Sequence, residues 1–259
     1  MPRRLLVLAV LALAVVPAAA LAQRTIRQDG NLRISFDGGL SPHDLPRNRQ
    51  APVALHVEGA ISTTDGSHAP PLNRLVISLN GHGRLSTVGL PSCTSAELQS
   101  TTTADALARC RPALVGRGHF LADVSFSNLP PIPAGGRTLA FNGRLGGKRA
   151  LLLHLYITNP VQTTFILPLT ISQKANGQFG AVLSAAIPTL AGGLGSVSAL
   201  DLTIGRNYTY RGRQYSYLSA SCPAPAGFPG ANFNLARGDF HFADGRTIKT
   251  VLGGDCKVR

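Results

Sequence analysis

The chain has 259 residues, 44% of them hydrophobic, with 25 Lys and Arg against 12 Asp and Glu and a formal charge of +13. Such an excess bears on association with anionic partners and not on fold. Glutamate occurs only at Glu58 and Glu97, so chemistry that needs paired carboxylates has few residues to draw on.

At the N-terminus, Arg3 and Arg4 precede an apolar run interrupted at Pro17, followed by small residues at Ala20 and Ala22. This is the pattern of a secretory signal peptide over residues 1–22, cleaved before Gln23, and the run is shorter than a bilayer-spanning helix needs. Cleavage leaves 237 residues with 23 basic and 12 acidic side chains, a formal +11. No cysteine follows the small-residue site, so no lipid anchor is expected. No other long apolar segment exists, so the mature chain is expected outside the cytoplasm without a transmembrane segment. There, an anionic wall polymer, an acidic glycan or a lipid headgroup is a more fitting partner than nucleic acid.

Cys93, Cys110, Cys222 and Cys256 suit an exported protein with two disulfides. Of the three formal connectivities, Cys93–Cys110 and Cys222–Cys256 join the pairs nearest in sequence. Zinc would need C-x-x-C or H-x-x-x-H spacing, which is missing. No metal and no cofactor is expected.

Taken in order, Asn31 to Phe36 reads as a strand with Leu32, Ile34 and Phe36 inward, and the Gly- and Pro-rich stretch to Pro52 reads as loop. Pro52 to Ser62 alternates with Val53, Leu55, Val57 and Ile61 on one face, and Asn73 to Asn80 with Leu75, Ile77 and Leu79. The helical signal lies between the first two cysteines, about residues 93–110. Thr94 with Glu97 and Thr102 with Asp105 make capping boxes. Each piece is too short to stand alone, so tertiary contacts and a disulfide must hold it. Ala113 to Phe126 is a strand bent at Gly116 and Gly118. Asn128 to Gly136 is either a linker between halves that each hold two cysteines or one long connection across a single sandwich.

Ala150 to Pro188 organises the chain as a three-strand meander. Leu151, Leu153, Leu155 and Ile157 share one face, with Leu152, His154 and Tyr156 on the other. Phe165, Leu167, Leu169 and Ile171 continue the apolar face, and so do Phe179, Ala181, Leu183 and Ala185 after an Asn176-Gly177 turn. Pro168 cannot donate to a ladder, which puts an edge or bulge there. Ala199 to Ile204 follows, then a hairpin around Arg211 to Gln214. A last hairpin over Asp244-Gly245 sets Phe240 and Phe242 against Ile248 to Leu252. No repeat of fixed period shows. The fold expected over 23–259 is all-β, an antiparallel β-sandwich or distorted barrel with a short disulfide-bounded helical insertion.

The segments ISTTDGSHAPPLNRL, LPSCTSAELQ, LAFNGR, YLSASCPAPAGFPGANF and the terminal CKVR resemble a family of secreted, disulfide-bearing, β-rich bacterial proteins with no assigned activity. The resemblance covers most of the mature chain. It implies that the cysteines and their flanking motifs travel together as one cooperative unit. It carries no catalytic residue or cofactor.

Among candidate chemistries, a glycosidase would need Glu58 brought to Asp65, Asp123 or Asp201. No G-x-S-x-G or S-x-x-K motif marks a serine nucleophile. Cys222 is a thiol candidate only if no disulfide takes it. His56 with Glu58, and His154 with Tyr156, project from one strand face at a spacing of two, as metal ligands or hydrogen-bonded side chains do; His43-Asp44 is weaker. The sharpest local feature is NYTYRGRQYSYL. A loop over Arg211 to Gln214 pairs Tyr210 with Tyr215 and Tyr208 with Tyr217, giving a tyrosine face bordered by Arg206, Arg211 and Arg213. Such a face suits sugar rings and anionic groups, and equally a ladder that only stabilises the hairpin.

The expected function is therefore a secreted, non-enzymatic binding or surface-associated protein that contacts anionic polymers or carbohydrate. The alternatives are an extracellular hydrolase and an apolar-ligand carrier, the latter suggested by the two-sided apolarity of Ala150 to Ile157. A deep, closed apolar pocket would favour the carrier, a cleft holding paired carboxylates or a serine with histidine the hydrolase, and a flat tyrosine and arginine face the surface binder.

Overall fold

The computed structural model describes residues 24–124, 132–159, 162–174, 177–187 and 195–259. The expected signal peptide, half of the turn residues at 158–161 and Asn176-Gly177, residues 125–126 of the predicted strand and residues 128–131 of the predicted connection lie outside this set. Within it the chain is β throughout, apart from two short helices and one 3-10 turn.

The strands are β1 (Thr25–Asp29), β2 (Leu32–Ser41), β3 (Asp44–Leu45), β4 (Ala51–Pro52), β5 (Ala54–Thr63), β6 (Leu72–Asn80) and β7 (Gly83–Leu85). The helices α1 (Ser95–Leu98) and α2 (Thr103–Cys110) follow. Next come β8 (Leu114–Val124), β9 (Ile132–Leu145), β10 (Lys148–Ile157), β11 (Thr163–Gln173), β12 (Phe179–Ala186) and β13 (Gly195–Ile204). The chain closes with β14 (Asn207–Tyr210), β15 (Arg213–Ser216), β16 (Leu218–Ala220), β17 (Gly230–Phe242) and β18 (Thr247–Val258). The stretch expected to be loop before Pro52 thus holds the end of β2 and two short strands, β3 and β4.

Thirteen strands form one sheet in the order β1-β2-β5-β13-β8-β9-β10-β11-β12-β6-β17-β18-β3. Residues 132–136 open β9, which pairs along β8 inside this sheet. The sheet curls into a half-barrel, so the architecture is the distorted-barrel form of the expected fold and not two separately packed sheets. Strands β17 and β18 near its far end come back to β1 and β2 at its start. Thr25 Oγ1 donates to the Val251 carbonyl at 2.9 Å, and the rings of Phe36 and Phe240 meet edge-on at 6.2 Å. Tight curling requires small inward residues where strands approach. A Cβ on Gly118 would lie 1.9 Å from the Asp201 carbonyl oxygen, and the β8–β9 register shifts between Leu114 and Gly116, beside the expected bend.

The meander sits as its alternation predicts, with Leu151 opposite Leu169, Leu153 opposite Leu167 and Leu155 opposite Phe165. The β11–β12 ladder reaches only Thr170 opposite Ser184 and stops before Pro168, which has no N–H to offer that side. Leu151, Leu153, Leu155 and Ile157 face the interior core. The opposite face of β9 and β10 presents Leu139, Phe141, Ala150 and Leu152, which the disulfide-bounded insertion covers with Leu98, Ala106 and Ala113. Both apolar faces of β10 are therefore buried. The outer one is an ordinary core, so two-sided apolarity is explained by the helices and not by a ligand.

That insertion is held as expected. Thr94 Oγ1 accepts from the Glu97 N–H and Thr102 Oγ1 from the Asp105 N–H, with both carboxylates returning the bond. Hydrogen bonds from Thr94 hold the Glu97 carboxyl below its ordinary range, and those from Thr102 do so for Asp105. The bonds Cys93–Cys110 and Cys222–Cys256 are both present. Each closes a loop worth about 3–4 kcal/mol in the chain-entropy account. At one end of the curled sheet a small sheet, β4-β16-β7, supplies Leu85, Leu218 and Ala220 to the core.

Candidate functional site

Two places merit description, the tyrosine hairpin and the interior of the curled sheet. In the hairpin, Tyr208 pairs with Tyr215 and Tyr210 with Arg213. The turn is Arg211-Gly212, both at positive φ (49° and 72°), the two-residue type that suits the twist of the strands. This corrects the expected four-residue loop. The tighter turn moves the register by two, which preserves the face but changes the partners. Tyr208, Tyr210 and Tyr215 still lie together, with centroids 5.8 Å apart for Tyr208–Tyr215 and 6.3 Å for Tyr210–Tyr215.

Tyr217 does not join them. It lies beyond the hairpin, fully buried in the main core. Arg206 is also not a rim residue, because its guanidinium donates to the carbonyls of Pro112 (2.6 Å) and Leu114 (2.9 Å). Arg211 sits over the Tyr210 ring at 5.2 Å and Arg213 is exposed. The rings are half-buried, because their other side packs on a loop. Tyr208 donates to the Val88 carbonyl at 2.8 Å, and a Cβ on Gly89 would lie 2.2 Å from the Tyr210 ring.

The interior of the curled sheet contains a cavity of about 150 Å³. Phe36 of β2, Leu75 of β6, Phe120 of β8, Leu153 of β10, Leu183 of β12 and Phe240 of β17 contribute to its wall. These positions come from distant parts of the sequence, and each is the inward member of its strand's alternation. Leu85 and Leu218 of the small sheet line it too, with Tyr217 from the link just before β16. Among the described residues, the Tyr217 hydroxyl has no hydrogen-bond partner. Burial pushes its pKa well above the ordinary phenol value, opposed by the positive charge of Arg149. Arg149 shares the inward phase of Leu151 and Leu153 on β10.

The remaining candidates are engaged elsewhere. Glu58 accepts from Arg24 at 3.0 Å on the surface, while His56 faces Thr203 Oγ1 at 3.2 Å and Asp201 at 3.6 Å. His154 is buried beneath the insertion, its Nε2 3.0 Å from both the carbonyl and the hydroxyl oxygen of Thr101. Desolvation holds its pKa down. Cys222 is bonded to Cys256 and is no thiolate. Ser221 Oγ lies 3.3 Å from His82 Nδ1, but no carboxylate orients that imidazole among the described residues, as a triad would require.

No family model, curated protein or solved structure matches the chain. Among the described residues, no helix is long and apolar enough to cross a membrane. The two disulfides fit an oxidising, extracytoplasmic setting.

Proposed function

We propose that this protein binds a small apolar ligand inside its curled sheet, as an extracytoplasmic carrier without turnover. The observation that carries this reading is the interior cavity. Close-packed cores leave few voids larger than a water molecule. A void of about 150 Å³ lined mainly by Leu, Ile, Val and Phe is large enough to admit a molecule of benzene's size. Leaving it empty forfeits packing energy, which a bound ligand restores. The occupation of Glu58, Cys222 and His154 in structural contacts supports binding over catalysis.

The test is thermal unfolding of the mature protein with increasing benzene. A ligand that binds only the folded state raises the Tm with concentration. Leu183→Phe, which fills the cavity, should abolish the shift. A Tm indifferent to benzene would sink the reading.

A second reading keeps the hairpin as a contact for anionic wall polymer or acidic glycan. The exposed Arg211 and Arg213 beside Tyr210 favour it. Binding of a polyanion that weakens with salt and is lost in Arg211→Ala with Arg213→Ala would support this. Binding unchanged in that double variant would remove it.

A further inference from the structure

Where β8 begins beside the end of β13, the surface opens into a cleft of about 470 Å³ that shares no lining residue with the interior cavity. Arg111, Arg117 and Arg206 line it, and no acidic residue does. The local chain explains the opening. Pro112 sits in the 3-10 turn Arg111–Ala113 just ahead of β8, and the register against β9 then shifts between Leu114 and Gly116. On β13's side, the Gly205 N–H donates to the Val115 carbonyl at 2.8 Å, which carries the pairing past the strand end and brings Arg206 to the turn. There its Nη1 donates to the carbonyls of Pro112 and Leu114, at 2.6 and 2.9 Å, so this guanidinium is held in place. Arg117 stands directly across the ladder from Thr203, which also lines the cleft, and both are exposed on the outer face. Arg111 and Arg117 make no ion pair or side-chain hydrogen bond among the described residues. Asp201, the acid on β13, faces His56 at 3.6 Å.

From this arrangement we infer that the cleft binds a phosphate group, free or esterified, between Arg111, Arg117 and Arg206 and beside the Thr203 hydroxyl. Scattered arginines on a convex surface are each solvated separately. Three around one concavity, with no acid on its wall, repel one another and focus a positive potential that an anion relieves. A carboxylate brings one charge. A phosphate brings up to about two, with more oxygens for the planar arginine forks to bond in pairs. The hairpin tip supplies no lining residue either, so the inference stands apart from both readings above.

Calorimetric titration of the mature protein with orthophosphate, glycerol 3-phosphate and acetate tests this at about 0.15 M ionic strength, where long-range attraction is screened. Either phosphate is expected to bind about tenfold or more tightly than acetate. Glycerol 3-phosphate binding above orthophosphate would assign the site to esters, and the reverse order to the free ion. Arg117→Gln should weaken phosphate binding about tenfold without lowering the Tm, because that side chain holds no bond in the fold, and Arg111→Gln should do the same. Arg33→Gln removes an equal charge from an exposed position on β2, outside the cleft, and should leave binding unchanged. Equal weakening in Arg33→Gln and Arg117→Gln would overturn the site in favour of general charge. Acetate binding as tightly as orthophosphate, or no binding of either phosphate, would also overturn it and leave the cavity reading untouched.

Discussion

Tyr208 stands directly across the hairpin from Tyr215, their ring centroids 5.8 Å apart and their planes 19° from parallel. Stacked cross-strand pairs contribute about 0.5–1 kcal/mol beyond burial. Tyr208 also ties the hairpin to the Val88 carbonyl. Tyr215→Ala should therefore lower the Tm measurably, and Tyr208→Phe by less, since it loses one hydrogen bond and keeps the stack. Equal melting of Tyr215→Ala and the parent would show that the ladder is not structural.

The insertion between Cys93 and Cys110 covers the outer faces of Phe141 and Leu152. Replacing both cysteines with alanine should cost about 3 kcal/mol. It should also expose residues 93–113 to limited proteolysis before the rest of the sheet unfolds. Loss of the sheet and the insertion in a single step at the parent's temperature would contradict this.

His154 lies under the same insertion with its pKa held down by desolvation. Its proton is therefore bound more readily by the unfolded chain. Stability contributed by the neutral ring is present above the ordinary histidine value of about 6.5 and is lost as the pH falls towards the lowered folded value. The Tm should drop between pH 7 and pH 5, and His154→Gln should flatten that part of the profile. An identical slope in the variant would assign the titration to another group.

Gly118 marks the close approach of β8 to β13. A methyl group there would collide with the Asp201 carbonyl oxygen at 1.9 Å, and the obstacle is backbone that cannot swing aside. Gly118→Ala should cost about 2 kcal/mol or more by forcing the two strands apart. Gly147→Ala, at the turn between β9 and β10 where a Cβ meets no neighbour, is strained only through its φ of 77° and should cost about 1 kcal/mol. The comparison separates crowding from backbone conformation and is read by chemical denaturation.

Filling the cavity should stabilise the protein and end its binding together. Leu183→Phe adds ring volume to the apolar wall, and cavity-filling changes commonly add about 0.5–2 kcal/mol. A rise in Tm with loss of benzene binding is the expected pair of results. A fall in Tm would mean that the void is too narrow to accept the ring.

Local chemistry by itself determined the strands, because a period of two in apolar residues declares which face of a strand is buried, as in Leu151, Leu153 and Leu155. It likewise determined both capping boxes, whose partners lie three residues apart, and agreed with the disulfides, which join the nearest cysteines. Tertiary structure decided what depends on residues far apart in the chain. Alternation shows that Leu75, Phe120 and Leu183 point inward, but not that they line one cavity, because curvature arises from strand order and from close approaches such as that of Gly118 to Asp201. It also reassigned the tyrosines. Phase alone groups Tyr217 with the other three, since Tyr208 and Tyr210 share one face of the first strand and Tyr215 and Tyr217 the same face of the second. A two-residue turn shifts the register by two, so Tyr217 falls opposite Arg206 beyond the hairpin strand, and the apolar interior takes its ring, whose hydroxyl has no partner among the described residues.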